Sequence, residues 1–124
     1  MKKAEIRADV SKNRLYLELA GFFNDEEMKQ IVDHAIEEIK KLKPGFDGIN
    51  DISEFKPTTP QGAKELERAL RFAHAYGLAR AIRIVAPSAV LGQMQFARKS
   101  KEAGYEAEFA NSVQEADEML DRGK

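Results

Sequence analysis

The feature that most constrains the fold is a change of hydrophobic period along the chain. At the start, apolar residues alternate with polar ones in two runs, residues 6–10 and 15–19, separated by the polar turn Ser11-Lys12-Asn13. Two alternating runs across a short turn predict an antiparallel β-hairpin. The rest of the chain alternates between a helical period of about 3.6 and short strand-like runs, a pattern typical of parallel strands joined by right-handed helical crossovers.

Capping signals set the boundaries of the first two helices. Asn24 with Glu27 three residues later forms a predicted capping box at the start of the first helix. Thr59 followed by Pro60 is typical of an N-cap and a first helical position, and Gly77 is a predicted C-terminal stop. These signals predict helices that begin at residues 24 and 59.

The remaining periods complete the predicted topology. Two further helices are expected to begin at Ser88 and Ser112, and the first of these is expected to turn Val90, Met94 and Ala97 inward. The later strands are predicted at residues 46–53, 81–86 and 105–109. The predicted fold class is therefore α/β, with the order β-β-α-β-α-β-α-β-α and a mixed five-stranded sheet with four helices.

The core is expected to contain the inward-facing apolar residues of these elements. Those predicted to be largely buried are Leu17, Leu19, Ile31, Ala35, Ile39, Ile49, Leu66, Leu70, Ile82, Ile84, Met94, Phe109 and Leu120.

Composition narrows the function classes. The 124 residues suit one domain, 1–124, and the absence of Cys excludes disulfide and thiol chemistry. With 20 basic and 21 acidic residues the net charge is -1, which gives no support for a nucleic-acid partner. Charges in residues 4–9 interrupt any secretory signal, and no apolar stretch is long enough for membrane insertion, so a cytoplasmic protein is expected. The two histidines, His34 and His74, lie on separate predicted helices, so we predict neither a metal site nor a cofactor.

One short motif has a family counterpart. Asp51-Ile52-Ser53 at a strand end is followed by Thr59-Pro60-Gln61-Gly62 at a helix start. Together with the element order over essentially the whole chain, this resembles a STAS domain of the SpoIIAA-like, or anti-sigma-factor-antagonist-like, group. The resemblance implies the SpoIIAA/STAS fold, a regulatory function, and a protein partner such as an anti-sigma-factor-like kinase.

The same resemblance exposes a difference. The phosphorylated serine of the family falls on Pro60, which has no hydroxyl group, and the aspartate before it falls on Thr59. The family's phosphate switch therefore cannot operate at that position. Thr59 itself is a weaker candidate for phosphorylation, because a hydroxyl used as an N-cap is already hydrogen-bonded.

Two candidate binding regions follow from these patterns. The predicted partner-binding residues are Thr58, Thr59, Pro60, Gln61 and Gly62, which are expected to form an exposed helix start, with Leu91 and Gly92 beside them. The second region is a polar cluster in the central strands: Asn50, Asp51 and Arg83. Its structural interpretation is an ion pair of Arg83 with Asp47 or Asp51, and its functional interpretation is a ligand pocket at the carboxyl ends of the strands.

The sequence therefore supports two hypotheses from different classes. The first is a non-enzymatic regulatory domain that binds another protein, as the resemblance implies. The alternative is a small-molecule binding domain with a pocket at the strand ends; lipids and nucleotides are the ligands that the resemblance brings forward. No nucleophile, base and orienting group can be assembled from the sequence, so no enzyme is predicted.

Overall fold

Residues 2–123 form five strands and four α-helices, in the predicted order. This computed structural model describes residues 2–123, without the side chain of Ser88. The strands are β1 (Lys3–Asp9), β2 (Arg14–Gly21), β3 (Asp47–Phe55), β4 (Arg80–Ile84) and β5 (Glu108–Ala110). The helices are α1 (Asp25–Ile39), α2 (Pro60–Tyr76), α3 (Val90–Glu102) and α4 (Val113–Arg122).

The sheet is mixed, as the sequence predicts. The strands lie side by side in the order β1-β2-β3-β4-β5. β1 and β2 form the antiparallel hairpin, whereas the pairs β2–β3, β3–β4 and β4–β5 are parallel. All three parallel pairs are connected through a helix, because a parallel neighbour cannot be reached by a tight turn.

The predicted helix caps are present. The Asn24 side chain accepts a hydrogen bond from the backbone N–H of Glu27, and the Glu27 carboxylate accepts one from the backbone N–H of Asn24. Thr59 Oγ1 accepts a hydrogen bond from the backbone N–H of Gly62 at 2.9 Å. Gly77 ends α2 in the left-handed region, at φ +119°, where a side chain would be strained. Local signals therefore fix where α1 and α2 begin and where α2 ends.

The helices cover the two faces of the sheet unequally. α1, α2 and α3 pack on one face, through a core that includes Met28, Leu66, Leu70 and Phe96. α4 packs on the other face, where Leu120 and its neighbours meet the isoleucines of β3 and β4. None of the helices in residues 2–123 is long and apolar enough to span a membrane.

A buried arginine of β2 forms ion pairs with α4. The sequence analysis did not predict this contact. Arg14, at the start of β2, is 1% exposed. Its Nη1 lies 2.7 Å from Oδ1 of Asp117, and its Nη2 lies 3.0 Å from Oδ1 of Asp121. Tyr16 Oη also donates to Asp117. Burial alone disfavours the charged form of Arg14, but the hydrogen bonds to the two aspartates outweigh burial and raise its pKa.

Most residues of the predicted core are buried, and Leu17 and Ile31 are half-buried. Two residues of the predicted core, Met94 and Phe109, are exposed instead. Their exposed fractions are 61% and 59%. Phe109 lies on β5, a three-residue strand at the sheet edge, where a side chain has strand neighbours on one side only.

Met94 is exposed because α3 turns a different face to the sheet than predicted. Its buried residues are Gly92, Phe96 and Ser100, not the stripe of Val90 and Met94. The helix also begins at Val90, after a 3-10 turn at Pro87–Ala89. The predicted cap at Ser88 lies outside the described side chains.

Candidate binding surface

The starts of α2 and α3 lie side by side at the carboxyl end of the sheet. The backbone N–H of Thr58 donates to Gln95 Oε1 at 2.8 Å, and Gln95 Nε2 donates to the Thr58 carbonyl at 3.2 Å. One α3 side chain thus satisfies both backbone polar groups of a loop residue. The structure thereby brings together the two predicted segments, Thr58–Gly62 and Leu91–Gly92.

Gly92 allows α3 to approach this end of the sheet. A Cβ atom at Gly92 would lie 1.8 Å from the backbone oxygen of Phe55 and 2.5 Å from its carbonyl carbon. Any other residue would push the helix off the end of β3, because backbone atoms cannot rotate away as a side chain can. The function of Gly92 is therefore close packing, with its backbone buried beneath the surface.

The segment at the start of α2 is only partly exposed, which corrects the expectation that all of it is. Thr58 is 8% exposed, and its Oγ1 donates to the Phe23 carbonyl at 2.7 Å. Gly62 is buried as well, whereas Pro60 and Gln61 are exposed and Thr59 is half-exposed. A partner can therefore reach Pro60 and Gln61, but Thr58 and Gly62 hold the loop in place.

A groove lies between this loop and α3. Its volume is about 550 Å³, and its lining includes the apolar residues Phe55, Pro57, Val90 and Leu91 and the charged residues Glu54 and Lys56. Leu91 is 70% exposed and Val90 50% exposed, and Met94 extends the apolar face one turn further along α3. Val90 and Met94 were both predicted to face inward, so the sequence analysis missed them as surface residues.

We call these exposed residues the helix-start surface. Its members are Pro57, Pro60, Gln61, Val90, Leu91 and Met94.

The hydroxyl of Thr59 is fully engaged. It accepts the hydrogen bond from the backbone N–H of Gly62 and donates one to the Asp25 carboxylate at the start of α1. The N-cap therefore also connects the first turns of α1 and α2.

The predicted polar cluster is divided between the two faces of the sheet. Asn50 and Arg83 are direct neighbours in the β3–β4 pair, and both are buried. Side chains alternate along a strand, so Asp47 and Asp51 lie on the opposite face from Arg83. Asp51 instead accepts hydrogen bonds from the backbone N–H and the hydroxyl of Ser53. The prediction that Arg83 pairs with Asp47 or Asp51 is therefore wrong, because the strand register places these side chains on opposite faces of the sheet.

Arg83 has aromatic neighbours in place of an acidic one. Its guanidinium carbon lies 4.9 Å from the centre of the Phe96 ring, a cation–π distance. Burial lowers the pKa of Arg83, and the nearby Tyr105 opposes this change. Burial also raises the pKa of Tyr105 to about 12, so its phenol stays neutral at neutral pH.

The other face of the sheet carries a second cleft. It has a volume of about 450 Å³, and its lining includes Glu5, Glu18 and Asp51, which lie in one row across β1, β2 and β3. Lys3 lies 3.0 Å from Glu18 and 3.8 Å from Glu5 and neutralises part of this charge. Within residues 2–123, no group of three or more His, Cys, Asp or Glu side chains is arranged to hold a metal ion.

Comparison with solved structures identifies the architecture. An uncharacterised protein of the DUF3478 family from Shewanella loihica PV-4, described as having a SpoIIAA-like fold, matches with a TM-score of 0.70. The match covers 97% of this chain and 95% of that one, at 17% sequence identity. This chain has the SpoIIAA-like fold. The anti-sigma factor antagonist SpoIIAA in its unphosphorylated form matches with a TM-score of 0.56, over 98% of this chain and all of that one, also at 17% identity.

The SpoIIAA-like fold is the extent of what these comparisons establish. No family model matches the sequence, and no curated protein matches it significantly. An identity of 17% does not transfer a function, because one fold serves many activities. Any function for this chain has to be argued from its own surfaces.

Proposed function

We propose that this chain is a non-enzymatic regulatory domain that binds another protein through the helix-start surface. The observation that carries the proposal is the group of exposed apolar side chains at Val90, Leu91 and Met94, beside the groove. Contiguous exposed apolar surface next to polar residues is typical of protein interaction sites.

The surface is preformed, which favours binding. Gln95 holds the Thr58 loop with two hydrogen bonds, and Gly92 places α3 directly on the end of β3. A surface that is already ordered loses little conformational entropy when a partner docks. The groove can therefore accept an apolar side chain of a partner without rearrangement of the loop.

Regulation by phosphate at the usual family position has no chemical basis in this chain. Pro60 has no hydroxyl group to modify. The Thr59 hydroxyl is hydrogen-bonded to Asp25, and a phosphate there would be repelled by that carboxylate. We therefore propose a constitutive binding surface. Its partner is an anti-sigma-factor-like regulatory protein with an apolar patch, by analogy with the antagonist named among the similar structures.

Site-specific photocrosslinking in cells tests the proposal. A photoreactive amino acid replaces Leu91 or Gln61 on the helix-start surface, and in a control it replaces Gln114, which is exposed on α4. We expect Leu91 and Gln61 to crosslink to one and the same protein and Gln114 not to crosslink to it. Leu91→Glu, introduced together with the probe at Gln61, should abolish this crosslink while the chain stays folded.

Control substitutions separate loss of binding from loss of structure. Gln61→Arg and Gln114→Arg add the same charge at exposed positions and should each change the free energy of unfolding by only about ±0.5 kcal/mol. Only Gln61→Arg should weaken the partner crosslink. Equal crosslinking from Gln114, or a partner that tolerates both Leu91→Glu and Gln61→Arg, would place the interface elsewhere and refute the proposal.

A further inference from the structure

The free charges on α2 and α3 are all basic. Each acidic side chain of these two helices is in a salt bridge with a basic one; the pairs are Glu65–Arg68, Glu67–Arg71 and Glu102–Lys99. Three basic side chains remain exposed and, within residues 2–123, outside any salt bridge: Lys64, Arg98 and Lys101. The two helices therefore present a local positive charge, although the net charge of the chain is -1.

Two of these cations continue the apolar stripe on the outside of α3. Arg98 lies seven residues after Leu91, and Lys101 lies seven residues after Met94, so all four side chains share the face opposite the buried residues of the helix. At a rise of 1.5 Å per residue, a separation of seven residues corresponds to about 10 Å along the helix. The outer face of α3 is therefore apolar beside the groove and basic about two turns further on.

Arg98 and Lys101 form a basic pair that the chain itself does not neutralise. They lie three residues apart on the helix, a spacing at which like charges repel each other. The adjacent Lys99 differs from both, because it lies 3.0 Å from Glu102 and 3.5 Å from Glu67. The free pair is thus available for carboxylates of another molecule, whereas Lys99 is already paired.

We propose that the partner docks through an acidic amphipathic segment, with apolar side chains in the groove beside Leu91 and carboxylates on Arg98 and Lys101. This inference rests on the proposed function, because it specifies the partner chemistry of the same surface. The spacing on α3 requires the carboxylates to lie about 10 Å from the apolar anchor of the partner. Complementary charge guides association, and a buried apolar anchor slows dissociation.

The groove favours a protein over a lipid surface as the occupant. It is concave, and its lining carries charges of both signs, Glu54 and Lys56. A protein can match such a site with individual side chains, whereas an anionic bilayer offers a layer of like charge that attracts only the basic residues. An acidic protein segment therefore complements both the groove and the basic pair.

Charge reversal in the crosslinking assay tests the partner chemistry. Arg98→Glu with Lys101→Glu is combined with the photoreactive probe at Gln61. The control, Lys12→Glu with Lys43→Glu, makes the same charge change on two exposed loops, which a hydrogen bond from Asn13 to the Lys43 carbonyl joins at the other end of the sheet. We expect only the first pair of substitutions to weaken the crosslink, by about tenfold or more, because like charges then face each other. Circular dichroism and thermal unfolding should show that both double variants remain folded.

Binding kinetics with the captured and purified partner separate the two parts of the surface. Charge reversal at Arg98 and Lys101 should slow association about tenfold at low ionic strength, and added sodium chloride should reduce this difference. Leu91→Glu should act mainly through faster dissociation. Lysine substitution of the acidic partner residues in the crosslinked segment should restore binding to the charge-reversed variant.

The outcomes distinguish this inference from the proposed function. A crosslink that is lost in Leu91→Glu but survives Arg98→Glu with Lys101→Glu would overturn the acidic segment and leave the protein interface in place. An equal loss in the control pair, or no rescue by lysines in the partner, would also overturn it. A crosslink that tolerates Leu91→Glu and Gln61→Arg would refute the proposed interface, and this inference with it. Co-sedimentation with phosphatidylglycerol vesicles that charge reversal abolishes, without any crosslinked protein, would identify a membrane surface and overturn the protein partner.

Discussion

The contact of α4 with the sheet gives the sharpest stability prediction. Asp117→Ala removes two hydrogen bonds, from Arg14 Nη1 at 2.7 Å and from Tyr16 Oη. Among residues 2–123, it leaves Arg14, which is 1% exposed, with Asp121 as its remaining acidic partner. We expect this substitution to lower the free energy of unfolding by about 2–4 kcal/mol.

The magnitude follows from the burial of each partner. Removal of one member of a fully buried pair costs roughly 3–5 kcal/mol, because the surviving charge is uncompensated. Asp117 is 26% exposed, so solvent screening reduces this figure. Asp121 is 58% exposed, and Asp121→Ala should therefore cost only about 0.5–1 kcal/mol.

The order of the variants matters more than any single value. Arg14→Met removes the buried charge and leaves two aspartates that water can still reach, so it should cost less than Asp117→Ala. The double variant should be more stable than Asp117→Ala alone, since an apolar residue then replaces the unpaired arginine.

Urea unfolding, followed by far-ultraviolet circular dichroism, measures the free energy of unfolding of each variant. The values can be compared when the slope of this free energy against urea concentration is the same for all variants. Glu118→Ala, on the next position of α4, is the matched control and should lie within about ±0.5 kcal/mol of the parent chain. If Arg14→Met costs as much as Asp117→Ala, or the two costs simply add, the reasoning from uncompensated burial is wrong.

Three further predictions concern the other side of the sheet and follow from single contacts. Gly92→Ala should destabilise the chain by roughly 1–3 kcal/mol in urea unfolding, because its Cβ would lie 1.8 Å from the Phe55 oxygen; unchanged stability would contradict this packing. Leu70→Ala should cost about 2–5 kcal/mol, and a loss below about 1 kcal/mol would show that α2 is not anchored there. Because burial raises the pKa of Tyr105 to about 12, the folded state holds this proton more tightly than the unfolded state does. Stability from Tyr105 should therefore be complete below pH 10 and fall by about 2–3 kcal/mol as the pH rises to 12, a loss that Tyr105→Phe should reduce in alkaline unfolding.

The fold could be predicted because its determinants are local. The capping box at Asn24, the Thr59-Pro60 helix start and the left-handed stop at Gly77 each act within a few residues, and each is present in the structure. The alternation of strands and helices then leaves few ways to connect a parallel sheet. Signals of this kind do not depend on which distant element packs against them.

The two arginines show what local patterns cannot determine. Arg14 meets Asp117 across 103 positions of sequence, and no spacing rule connects them. Arg83 was predicted to meet Asp47 or Asp51, but the face of a strand residue depends on register, and a shift of one position moves a side chain to the opposite face. Opposite charges in neighbouring strands were therefore insufficient to predict the surroundings of Arg83.

The two segments predicted to bind a partner lie together, but the exposure of their residues differs from the prediction, and α3 shows why. The inward face of α3 was predicted from the positions of its large apolar residues. This assignment predicted that Val90 and Met94 are buried. In the structure the buried face consists of Gly92, Phe96 and Ser100, because contact with the end of β3 requires a residue without a side chain at the closest point. The apolar residues displaced from the interior then form the exposed face of α3. Exposure of these residues is thus a direct consequence of how closely α3 approaches the sheet. A substitution at Gly92 should therefore disturb the helix-start surface, whereas one at Leu91 should change the surface and leave the packing intact.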